Sequence, residues 1–106
     1  MTGFEDRLQG ELARFHHDQE VAFRIRLRRD KLFGLKIAKL LGLGDAEAAD
    51  YAKEIVVVDM SEAGDDVILR KVTSDLEAKG LPVDLEGLKR DLTKLQKEAH
   101  DQVMHE

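Results

Sequence analysis

The residues best placed to do chemistry lie between Arg24 and Lys39. Arg24, Arg26, Arg28, Arg29, Lys31, Lys36 and Lys39 stand there against a single acid, Asp30. A basic run of this kind can hold phosphate, nucleic acid or an acidic protein surface. It can also be a solvated helix face that pairs with acids elsewhere in the chain. The net charge of −5 argues against general nucleic-acid binding. His16 and Glu20 have the four-residue spacing that can hold a metal on a helix. The neighbouring donors His17 and Asp18 do not converge with them, and His100 and His105 diverge, so no metal site is expected. A mild pH response through His16 or His17 fits those residues better. Gly42-Leu43-Gly44-Asp45 leads into a helix as phosphate loops do. However, no strand precedes it, no Gly-Lys-Ser/Thr follows, and Asp45 would repel phosphate; it reads as a turn between helices. The carboxylates are spread along solvent faces, with no activated nucleophile and no oriented base, so no catalytic residue and no enzyme is expected.

Four helical stretches must position these groups. The first runs from about Gly3 to Leu41. Phe4, Leu8, Leu12 and Phe15 stand at helical spacing in its front half. Val21, Ile25, Leu32 and Leu40 continue behind them, flanked by Phe23, Leu27, Ile37 and Leu41. Gly42 is available to end it, and Asp45 is the expected N-cap of the next helix. That second stretch, about Ala46 to Glu62, presents Ala48, Tyr51, Ala52, Ile55 and Val56. Its run Ile55-Val56-Val57-Val58 also fits a short buried strand. Helix is preferred because no second strand exists to pair with it. The third stretch starts near Asp65 or Asp66, uses Ile68, Leu69, Val72 and Leu76, and stops at Gly80 and Pro82. The fourth starts at N-cap Asp84, with Val83 and Leu88 as a hydrophobic staple, and runs through Leu92, Leu95, Ala99 and Val103. The fold class is all-α: a four-helix bundle with a long first helix whose N-terminal part is flexible in the free protein.

The 106 residues make one domain, too few for two cores. The chain contains no cysteine, which excludes disulfides, thiol catalysis and cysteine-ligated zinc. No apolar run is long enough to span a membrane. The first ten residues lack a basic segment followed by an apolar one, so a cytoplasmic location is expected. Helix one, at about 38 residues and ~1.5 Å each, is about twice as long as its neighbours. Residues 1–18 are therefore expected to form an arm, and 19–106 the bundle. An unsupported arm of this length is only marginally helical in water, and Gly10 weakens it further. Its apolar stripe suggests a partner elsewhere, reached by folding on binding. The alternatives are a frayed end or a helix folded back on the bundle. Charge divides in the same way: −3 over residues 1–20, +6 over 21–39 and −8 over the rest.

Phe4-x-Asp6-Arg7, Phe15, His17-Asp18-x-Glu20, Phe23, Arg28-Arg29 and Leu32-x-Gly34-Leu35 resemble the zeta inhibitor subunit of the α-proteobacterial F1Fo-ATPase. The similarity continues through Leu41-Gly42-Leu43, Tyr51-Ala52-Lys53-Glu54-Ile55-Val56, Asp59, Glu62-Ala63-Gly64-Asp65 and Arg70-Lys71-Val72. It covers nearly the whole chain and is most specific around Arg28-Arg29…Gly34 and Tyr51-Ala52-Lys53-Glu54. The resemblance implies a four-helix bundle whose flexible N-terminal segment enters a catalytic α/β interface of F1, becomes helical and blocks rotation in the hydrolysis direction. The partners it implies are the α, β and γ subunits of F1. The implied location is cytoplasmic, peripheral on the inner face of the plasma membrane through F1, without insertion into the membrane or a nucleic-acid partner. No cofactor is required, and weak ATP or ADP binding on the bundle is implied.

Carried onto this chain, the inhibitory arm is Phe4, Glu5, Asp6, Arg7, Leu8, Glu11, Leu12, Arg14 and Phe15. Its apolar residues would insert and its charged ones would fix register. Arg24, Arg28, Arg29 and Lys31 are the candidates for contact with a nucleotide or the F1 surface. The alternative function is a small nucleotide- or nucleic-acid-binding regulatory protein that uses the basic stretch 24–39.

Overall fold

The computed structural model of the chain describes residues 2–62 and 64–106. Four helices follow one another: α1 (Thr2–Leu40), α2 (Asp45–Ser61), α3 (Asp65–Ala78) and α4 (Leu85–Met104). No strand occurs among the described residues, and Ile55–Val58 is helical throughout. α1 is the spine, with α2 and α4 packed along it and α3 packed against both α2 and α4.

The helix ends follow local chemistry. α1 stops at Gly42, whose φ of 76° is costly for any residue with a Cβ. The Gly42 N–H donates to the Lys39 carbonyl and the Leu43 N–H to the Ala38 carbonyl, which closes a Schellman motif. α3 ends the same way at Gly80, φ 71°, with the Leu81 N–H donating to Leu76. Leu81 then folds onto the core. Asp84 caps α4: its carboxylate accepts from the Gly87 N–H at 3.0 Å. Asp45, by contrast, does not cap α2. Gly44 holds that position without a side-chain bond, and Asp45 and Glu47 lie in the first turn. There their charge faces the positive end of the helix dipole.

The main core is built from Phe33, Ile37, Ala38, Tyr51, Ile55, Ile68, Leu69, Val72, Leu76, Leu88 and Leu92. A smaller cluster of Ile25, Ala99 and Val103 continues it along α1 and α4. Two expectations are corrected here. Leu40, placed on the core stripe by spacing, is exposed, and Phe33 and Ala38 are fully buried in the core instead. The stripe rotates along a 39-residue helix because 3.6 residues per turn drift against any fixed spacing. Gly34 allows α1 and α2 to approach closely. A Cβ at that position would lie 2.6 Å from the Ala52 Cα and 3.2 Å from the Ile55 Cγ1. The Tyr51 hydroxyl donates to Asp75 at 2.7 Å and ties α2 to α3.

The molecule measures 67 × 24 × 21 Å. At ~1.5 Å per residue α1 alone is about 58 Å long, so much of it extends beyond the body. Side-chain burial begins at Val21, and every described side chain from Asp6 to Glu20 is exposed.

Candidate functional site

The arm and the face of the body below it hold the sequence-predicted residues. Leu8, Leu12 and Phe15 are 46%, 46% and 58% exposed. They fall within about 60° of arc at ~100° per residue, so they form one stripe that stays exposed among the described residues. Glu11, Arg7 and Arg14 lie along one side of it and Asp6 on the opposite face of the helix, and all four are exposed. The side chains of Phe4 and Glu5 lie outside the described residues. The arm neither folds back on the bundle nor breaks from α1; it continues the helix as a rod.

Beside the point where α1 enters the body, α1, α2 and the end of α4 enclose a groove of about 680 Å³. Arg24, Arg28 and Lys31 line it from α1 and Lys53 from α2. Leu27, Leu35, Ala52 and Val56 form its apolar floor. Arg24, Arg28, Lys31 and Leu35 recur at spacings of four, three and four, which places them on one face of α1. Glu106 already supplies a carboxylate to two of these cations. Arg24 Nη2 donates to Glu106 Oε2 at 2.8 Å, and Arg28 Nη2 donates to Glu106 Oε1. The Arg28 hydrogen bond, followed by that from Arg24, holds the Glu106 carboxyl below its ordinary range. Arg28 also donates to Gln102 at 2.9 Å. Lys31 and Lys53 have no ion-pair partner among the described residues.

Arg29, the fourth predicted basic residue, is on a different face. It is buried and donates to Asp30 at 2.9 Å and to Asp65 at 2.9 Å. One residue's rotation of about 100° separates it from Arg28. Arg26, not among the candidates, grips Asp59 with two bonds, 2.5 Å from Nε and 2.6 Å from Nη2. Lys36 lies 3.0 Å from Asp91. Much of the basic run therefore pairs with the acidic body, as the bland reading of the sequence had it. Lys53 was not assigned to the groove from sequence, nor were Asp30 and Asp59 assigned to the buried charges around Arg29. The available signal was Asp30 itself, an isolated acid three residues before the core position Phe33.

A family model for the ATPase inhibitor subunit zeta matches residues 1–102, which include the arm, the α1 and α2 sides of the groove and most of α4. The chain belongs to that family. No curated protein and no solved structure matches the chain. Membership makes the protein an ATPase inhibitor subunit with an F-type ATPase as its partner. Glu106 and the end of α4 lie past the matched range. No described helix is long and apolar enough to cross a membrane.

Proposed function

We propose that the chain inhibits ATP hydrolysis by inserting its arm into a catalytic α/β interface of F1 and stopping rotation in the hydrolysis direction. The observation that carries this reading is the uncovered stripe Leu8, Leu12 and Phe15 on a helix anchored in the body. Burying the remaining exposed half of each side chain is worth about 1 kcal/mol apiece. A pre-formed helix also avoids part of the ordering cost of binding. Asp6, Arg7, Glu11 and Arg14 fix the register of the inserted helix. α1 continues unbroken into a body 24 × 21 Å across, so a seated arm carries an obstacle too wide to follow it into the interface. The protein acts as a regulator and not as a catalyst, and it resides on the inner membrane face through F1 alone.

Cross-linking from a photoreactive residue tests this placement. A probe at Leu12 is expected to give adducts with both α and β of purified F1. A probe at Arg90, exposed on α4, is expected to give neither. Adducts from Arg90 with none from Leu12 would place the contact on the body.

The groove supports a second reading: weak ATP or ADP binding, with phosphates on Lys31, Lys53 and Arg28 and the base against Leu27 and Val56. Its polar rim above an apolar floor is the usual make-up of a small-molecule site. In an NMR titration to millimolar ADP, the amides of Lys31, Lys53 and Val56 are expected to shift. Glu106→Gln is expected to tighten binding by freeing Arg24 and Arg28. If no groove amide moves, this reading is discarded.

A further inference from the structure

Asp30 is the only acid among residues 21–39, and it is completely buried. Its Oδ1 accepts from Arg29, at 3.1 Å from Nε and 2.9 Å from Nη2. Its Oδ2 has no hydrogen-bond partner among the described residues as long as it is counted only as an acceptor. Asp59, on the last turn of α2, is 2% exposed and shares a guanidinium with Asp30: Arg29 Nη2 is 2.9 Å from Asp30 Oδ1 and 3.8 Å from Asp59 Oδ2. Two ionised carboxylates buried on one guanidinium repel each other. A proton on one of them relieves the repulsion and can serve as a donor to the other.

The charge count gives the same answer. α1 contributes Arg26 and Arg29, α2 contributes Asp59, and α3 contributes Asp65, which is 2.9 Å from Arg29. Glu62, in the α2–α3 turn, lines the cleft beside Arg26 and Asp59. Lys89 of α4 lines the cleft that holds Arg29 and Asp65. Arg29 is the buried cation of this cluster, 2.9 Å from Asp30 and 3.8 Å from Asp59, whereas Arg26 and Asp65 are nearly half exposed. With Asp30 ionised, two buried carboxylates face one buried guanidinium, which is costly in a low-dielectric interior.

We propose that Asp30 Oδ2 holds a proton, donates it to Asp59, and thereby clamps the last turn of α2 to α1 in a pH-dependent way. Because Asp59 is held by Arg26, it is the acceptor, and Asp30, which shares Arg29 with Asp65, is the group that protonates. Burial and the facing Asp59 push Asp30 up to about 7. Burial alone would raise Asp59 as well, but its bonds from Arg26 and Asp30 outweigh that and hold it below the ordinary range. The clamp sits about two and a half turns below Val21, where the exposed part of α1 gives way to the body. On losing its proton near neutral pH, Asp30 would repel Asp59 and loosen residues 57–61 from α1. The inference holds whether or not the arm inhibits an ATPase.

The sign of the stability effect follows. The folded chain keeps the proton up to about pH 7, whereas an unfolded aspartate loses it near ~4. The proton's contribution is therefore full below ~4 and is lost as pH rises to about 7. Over that window the unfolding constant rises by about tenfold per pH unit, and it levels off above the window. Asp59 acts in the opposite direction, and only in acid.

The test is a carboxyl-carbon NMR titration of the full chain from pH 4 to 9, with amide exchange followed at Val57–Ser61. Asp30 is expected to titrate near 7, with faster exchange at those amides above its midpoint. In Asp30→Asn the side-chain N–H donates to Asp59 in place of the proton. That variant is expected to fold and to lose the dependence of its urea midpoint on pH between 5 and 8. Asp59→Asn is expected to lower the Asp30 midpoint. An Asp30 midpoint below ~5, or an Asp30→Asn variant that keeps the wild-type pH slope, overturns the proposal. Should Asp30→Asn fail to fold, the wild-type titration decides alone.

Discussion

Gly34→Leu is expected to lower the thermal midpoint of the protein by at least ~12 °C, measured by helical circular dichroism. The α1–α2 crossing has no room for a side chain: even a Cβ at Gly34 meets the Ala52 Cα at 2.6 Å. That obstacle is backbone, so no rotamer change relieves it. Over-packing of this kind costs about 1–3 kcal/mol for small additions, and a leucine is expected to exceed ~3 kcal/mol. For a body of this size each kcal/mol moves the midpoint by about 4–8 °C. Gly34→Ala is expected to be milder, because alanine adds only the Cβ and about 1 kcal/mol of regained helix propensity offsets part of its clash. Gly10→Ala provides the contrast. A Cβ there meets nothing within 4 Å, so the same change gains propensity without a clash. It is expected to slow amide exchange in the arm by stabilising its helix and to leave the main transition where it is. A Gly34→Leu midpoint within ~2 °C of wild type would contradict the crossing geometry.

The second large effect concerns function with stability unchanged. Changing Leu8, Leu12 and Phe15 together to serine is expected to weaken inhibition of F1 hydrolysis by about 10²–10³-fold, the scale of losing an apolar anchor cluster from an interface. The thermal midpoint is expected to stay put, because all three side chains are exposed and touch none of the body. Inhibition that survives this substitution at full strength would remove the stripe from the mechanism.

These two variants divide the molecule as the sequence does. The C-terminal ends of α1 and α3 and the start of α4 were legible because their signals are local, whereas Asp45 reads as the cap of α2 and Gly44 holds that place. Gly42 and Gly80 supply positive φ, Pro82 follows a helix end, and Asp84 presents a capping carboxylate. The faces of α3 and α4 were legible as well, since Ile68, Leu69, Val72 and Leu76, and Leu88, Leu92 and Ala99, recur with the helical period and are buried. The middle of α1 was harder to assign. Between Val21 and Leu40 both flanks carry apolar residues, and only the packing of α2 and α4 shows that Phe33 and Ala38 are core while Leu40 is not. The same phase problem hid the division of the basic run. Arg24, Arg28 and Lys31 open onto the groove, whereas Arg26 and Arg29 turn toward acids from α2 and α3, which lie 33 and 36 residues away in sequence. Lys53 joins the groove from another helix, and no spacing along α1 could have indicated it. The arm was legible for a different reason: it is the length of α1 that its neighbours cannot cover.

In the proposed mechanism this uncovered length carries the inhibition. Titrating F1-ATPase hydrolysis with the full chain and with a chain lacking residues 1–17 separates the arm from the body. The full chain is expected to suppress hydrolysis, and the shortened chain, with its body folded and its midpoint unchanged, is not. Equal inhibition by both would contradict this mechanism and move the inhibitory contact onto the bundle.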